Sequence, residues 1–143
     1  MNLASAELLL GRLERARRLL HRAWRWQARG ADLTAARILT LRLVIAWLQK
    51  QSTSLYLGQL KSILQADSLS NVADVHTYWS IDSVVRGLRD RLSPQHLALL
   101  KTLVAVLNGS QNESSLEECE EYRLQPPAPL SVTECPRSGL SLE

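Results

Sequence analysis

From residue 4 to residue 107, apolar side chains return every three or four positions, and almost nothing interrupts them. Only Gly11, Gly30, Gly58, Gly87 and Pro94 break that stretch. The period is that of an α-helix, and the scarcity of turn formers disfavours a β fold. An all-α chain is therefore expected, with about five helices paired as antiparallel hairpins.

The first helix is predicted from about Ala4 to Ala28, with Leu9, Leu13, Ala16, Leu20 and Ala23 on one face. Gly11 is its weak point, where it can divide into two shorter helices. Gly30 suits the stop, because a left-handed backbone costs glycine little. A second helix runs from Asp32 or Thr34 to about Gln51 and is apolar nearly all round, which predicts a central position. Its arginines, Arg37 and Arg42, are expected to reach solvent along their stems. Ser52 and Ser54 open a third helix through Leu57, Leu60, Ile63 and Leu64. A fourth is predicted from about Val72 to Arg91. The fifth is bounded by Ser93 as N-cap, Pro94 in the first turn and Asn108-Gly109 at its end. Trp24, Trp47 and Trp79 lie on or beside apolar stripes and are expected to pack in the core.

Past Gly109 the period fades. Residues 110–143 carry seven glutamates, with Pro126, Pro127, Pro129 and Pro136. Ordering such a segment costs about 1–2 kcal/mol per residue for the backbone alone, and few apolar residues are there to offset it. The sequence thus divides into a helical domain, 1–109, and an acidic tail, 110–143, expected to be disordered.

The net charge of +3 hides this asymmetry, since residues 1–45 hold nine arginines against Glu7, Glu14 and Asp32. The longest apolar stretches, Ile38 to Leu48 and Leu97 to Leu107, are about half a membrane span and contain Arg42 and Lys101. No basic-then-apolar secretory leader is visible, so a soluble, cytoplasmic chain is expected. Cys119 and Cys135 make no disulfide framework and no zinc spacing. His21, His76 and His96 are scattered without ligand neighbours, and no phosphate loop, nucleophile elbow or His-Glu-x-x-His pattern occurs. No catalytic residue, metal or cofactor is predicted.

Gly11, Leu13, Ala16, Leu20 and Ala23 fall where a tetratricopeptide repeat places the turn glycine, a large apolar residue, a small one, a bulky one and a second small one. The segment resembles the second half of such a repeat, in which small side chains admit the neighbouring helix. The continuation to Leu64 is similar to the helical repeats of large ATP-dependent LuxR-type regulators related to the maltose regulator. This resemblance implies a short tetratricopeptide-like array whose inner groove receives a helix or peptide. The phosphate loop and DNA-reading module of such regulators are not seen in these residues.

Arg15, Arg18, Arg22, Arg25 and Arg29 recur at steps of three and four, forming one stripe that also takes in Trp26. A cationic ridge with an indole suits an acidic protein partner, and less well a nucleic-acid backbone. Beside it stands the plain alternative of a solvated outer face. The acidic cluster Glu117, Glu118, Glu120 and Glu121 is a candidate to fold back onto the stripe. The expected function is a non-catalytic protein-interaction module, an adaptor, chaperone or regulatory repeat, with self-association possible. The alternatives are a basic nucleic-acid-binding or transcription-regulatory protein, or a sensor fragment of a larger regulator.

Overall fold

In the computed structural model the described residues are 2–26, 33–65 and 81–129, and they are helical without a strand among them. We label the helices α1 (Asn2–Leu9), α2 (Leu13–Trp26), α3 (Leu33–Leu48), α4 (Ser54–Gln65), α5 (Asp82–Gly87) and α6 (Pro94–Leu107). A 3-10 helix, Glu113–Glu118, and a short α7, Glu120–Arg123, follow. None of these helices is long and apolar enough to cross a membrane.

Gly11 divides the first predicted helix in two. Its φ of +81° is the left-handed conformation that ends α1, while Arg12 N–H donates to the Glu7 carbonyl at 2.9 Å and Gly11 N–H to that of Leu8 at 3.1 Å. The same pair of bonds closes α6 at Gly109, where φ is again +81°. It also closes α3, but there the left-handed residue is Lys50, with φ of 57°. At the start of α6 the Ser93 hydroxyl accepts from the His96 N–H at 3.2 Å with Pro94 at the first position, as the sequence predicts.

The central helix is α3. Every residue from Ile38 through Trp47 is buried, and so are Ala35 and Ala36. It meets α2, α4 and α6, while α1 meets both α2 and α5. Successive helices touch one another from α1 through α4, and in addition α3 with α6 and α1 with α5 fold the chain back on itself. The inner face of α3 is thereby filled.

Three expectations need correction. Arg42 does not reach solvent: it is buried, with its guanidinium 5.5 Å from the Trp24 ring centre and 6.0 Å from that of Tyr56. Planar and aromatic, these rings accept a guanidinium that a hydrocarbon wall would reject. Within the fourth predicted helix, α5 ends at Gly87 and not near Arg91, with Leu88 closing it through its N–H to the Val84 and Val85 carbonyls. Third, order does not stop at Gly109. Residues 113–129 lie against the helical core, burying Leu116 and Tyr122 completely. The surface that offsets their ordering belongs mostly to α4 and α6, which the local composition of the tail does not disclose. Trp79 and the predicted start of the fourth helix, with His76 and Tyr78, lie outside the described residues, as do residues 130–143.

Candidate functional site

Two surfaces among the described residues are dense in charge. The first is α2, whose inner face is Ala16, Leu20 and Trp24, each no more than 1% exposed. Leu13 and Ala23 are partly buried beside them. Arg15, Arg18, Arg22 and Arg25 are exposed on the opposite side, as their spacing requires. Arg29 and the side chain of Trp26 lie outside the described residues.

Arg15 is tied to α1, 3.8 Å from Glu7, which Arg12 also approaches at 3.5 Å. Glu7 is buried apart from this edge, so the two arginines supply the charge that its burial demands. Arg17 pairs with Glu14 at 3.1 Å, and Gln49 donates to the other Glu14 oxygen at 3.3 Å. The Arg17 bond, and then the Gln49 bond, hold the Glu14 carboxyl below the usual carboxylate range. Arg18, Arg22 and Arg25 make no ion pair among the described residues. Beside them, burial lowers the His21 pKa, helped by Arg42, Arg25 and Arg17, which disfavours its protonated form. Along α1, Leu3, Ala6 and Leu10 are exposed at helical spacing, with Leu3 at 58% and Leu10 at 65%.

The second surface is built by α3, α4 and α6 around residues 113–129. The Glu121 carboxylate is held from three directions. Trp47 Nε1 donates to its Oε2 at 3.3 Å, and Thr53 Oγ1 donates to the same oxygen at 3.1 Å. His96 Nε2 stands 3.3 Å from Oε1, and the His96 ring stacks on Trp47 with centroids 4.4 Å apart and planes 14° from parallel. A cavity of about 500 Å³ opens beside this cluster, lined also by Lys50, Arg91 and Ser93. One residue on, Tyr122 donates to Glu113 Oε2 at 2.6 Å. Burial, and then that bond, push the Tyr122 phenol far above its ordinary range.

Lys61, 7% exposed, donates to the carbonyls of Tyr122 (3.1 Å), Arg123 (3.2 Å) and Gln125 (2.9 Å). Its ammonium also lies 4.9 Å from the Tyr122 ring centre. Beyond it the chain lies against α4. Ala128 N–H donates to the Gly58 carbonyl at 3.0 Å, Ser62 Oγ donates to the Ala128 carbonyl at 2.5 Å, and Gln59 Nε2 donates to that of Pro129 at 3.3 Å.

The chain matches no protein-family model, no curated protein and no solved structure. Its chemistry must be read from its own residues.

The predicted stripe is one exposed face in so far as its residues are described. The acidic cluster takes a different place from the one expected. Glu121 binds Trp47, Thr53 and His96, and no ion pair joins the cluster to the arginine stripe among the described residues. Sequence reasoning missed Lys61, Gly58, His96 and Glu121 as a set. The one local signal was Lys61, a lone cation between Leu60 and Ile63 on an otherwise uncharged helix. Cys119 is partly buried, and burial, then Glu118 and Glu121, raise its thiol pKa, which works against a thiolate. Among the described residues no group of His, Cys, Asp or Glu is placed to hold a metal ion.

Proposed function

We propose that this protein is a non-catalytic interaction module whose α1–α2 face receives an acidic amphipathic helix of a partner protein. The observation that carries this reading is the exposed face of α2. Arg18, Arg22 and Arg25 point outward without an internal counter-charge, on a helix whose other side is fixed in the core. A row of guanidinium groups on a fixed helix suits carboxylates, which each can engage in a bidentate fork. The exposed Leu3, Ala6 and Leu10 on the adjoining helix supply apolar contact area for the same partner. Arginine charges would steer the encounter, and the leucines would slow dissociation.

The test is a pull-down from cell extract, run with and without nuclease, with the full chain, comparing wild type with the Arg18→Glu/Arg22→Glu/Arg25→Glu variant. Because these positions are exposed, circular dichroism should show unchanged helicity. A protein captured by the wild type should be lost from the triple variant and also from Leu3→Glu/Leu10→Glu. An identical set of captured proteins in all three would overturn the proposal, and capture that depends on intact nucleic acid would replace it with a phosphate-binding role.

A further inference from the structure

Residues 113–129 are held in a manner more typical of a bound peptide than of a packed helix. Five of the contacts to them are made to main chain. Lys61 reads the Tyr122, Arg123 and Gln125 carbonyls, Ser62 reads that of Ala128, and Gln59 that of Pro129. A sixth runs the other way, from Ala128 N–H to the Gly58 carbonyl. Main-chain contacts give affinity without fixing the side chains of the occupant. Specificity comes from the places that clamp the Glu121 carboxylate and enclose Leu116 and Tyr122.

Gly58 is what permits the approach. A Cβ there would stand 2.9 Å from the Pro126 carbonyl oxygen and 2.9 Å from the Ala128 Cβ, too close for either to remain in place. Its neighbour Gln59 is 2% exposed, yet its Oε1 has no hydrogen-bond partner. Its amide nitrogen bonds Pro129, a residue with no N–H to return. The groove therefore holds an acceptor that its present occupant does not satisfy.

We propose that the α4 face bearing Gly58, Gln59, Lys61 and Ser62, continued by Trp47, Thr53 and His96, is a peptide-binding groove. Its ligand is a segment of a partner protein in which an acidic residue and a tyrosine in one helical turn, as Glu121 and Tyr122 are in α7, precede a proline-rich stretch. Residues 113–129 occupy it in cis, and the turn at Asn108–Asn112 keeps them close enough to compete with any incoming peptide. This groove is separate from the α1–α2 face and does not depend on it.

The experiment measures fluorescence anisotropy of a labelled peptide with the sequence Glu113–Pro129, titrated with full-length chains. Tyr122→Ala loosens the resident segment and leaves the groove intact, so it should bind the peptide at least tenfold more tightly than wild type. Adding Gly58→Ala, which suits a helix but blocks the groove, should abolish that gain, and a scrambled peptide should not bind. Should Tyr122→Ala lose its helical circular dichroism, Glu121→Gln loosens the segment from its other anchor and carries the same expectation. A helical variant that gains no affinity, or one whose binding ignores Gly58→Ala, overturns the proposal.

Discussion

Helix α2 and the segment 113–129 are both dense in charge, and they owe their order to different causes. In α2 the order is local. Its apolar residues return at helical spacing, so one face can be buried and the arginines are left outside. In 113–129 the order is borrowed. The 3-10 helix and α7 are too short to hold by themselves, and what fixes them lies 61 to 74 residues earlier, in Lys61, Gly58 and Trp47. One region carries its own instructions, and the other is completed by a surface elsewhere.

That contrast can be broken most forcefully in α2. Trp24→Ala removes a ring that is 1% exposed and also the aromatic face under Arg42, and should cost about 3–5 kcal/mol. Urea unfolding followed by circular dichroism should show one transition shifted as a whole, since α2 and the core stand or fall together. The opposite behaviour is expected of Lys61→Met. Losing the bonds to three carbonyls should cost about 1.5–3 kcal/mol, borne by the segment. Trypsin should then cut after Arg123 much faster, while the helical signal at 222 nm changes little. Equal protection of that site in both chains would show that the segment needs no help from α4.

A milder perturbation comes from pH. The Tyr122 phenol is raised in the folded chain, so its contribution is fully present below the unfolded value of about 10 and is lost as pH climbs above it. The loss is at most about 1.4 kcal/mol per pH unit. Tyrosinate absorbance should show one residue titrating late, and stability against unfolding should fall more between pH 10 and 11 in the wild type than in Tyr122→Phe. Parallel pH curves would mean that the phenol ionises as freely folded as unfolded.

The difference between the regions also explains what could be read in advance. The limits of α6 were legible because Ser93, Pro94 and Gly109 act on their own backbone. The break at Gly11 and the central place of α3 followed from similarly local chemistry. Arg42 was misjudged because two aromatic rings from other helices surround it, and no pattern along α3 announces them. Glu121 looked like any member of an acidic cluster. Only folding brings Trp47, Thr53 and His96 to its two oxygens. The candidate stripe on α2 was visible at once, whereas the groove on α4 was not, since a groove is a property of several segments and a stripe of one.

The long reach of these contacts has a consequence during synthesis. Lys61 waits for carbonyls 61 to 64 residues downstream, and Trp47 for a carboxylate 74 residues away. At about 5–20 residues per second a ribosome needs several seconds to supply them. For that interval every newborn copy presents α4 with its lysine hydrated and its glycine uncovered. Residues 113–129, which emerge later, then close over a surface that has already been exposed.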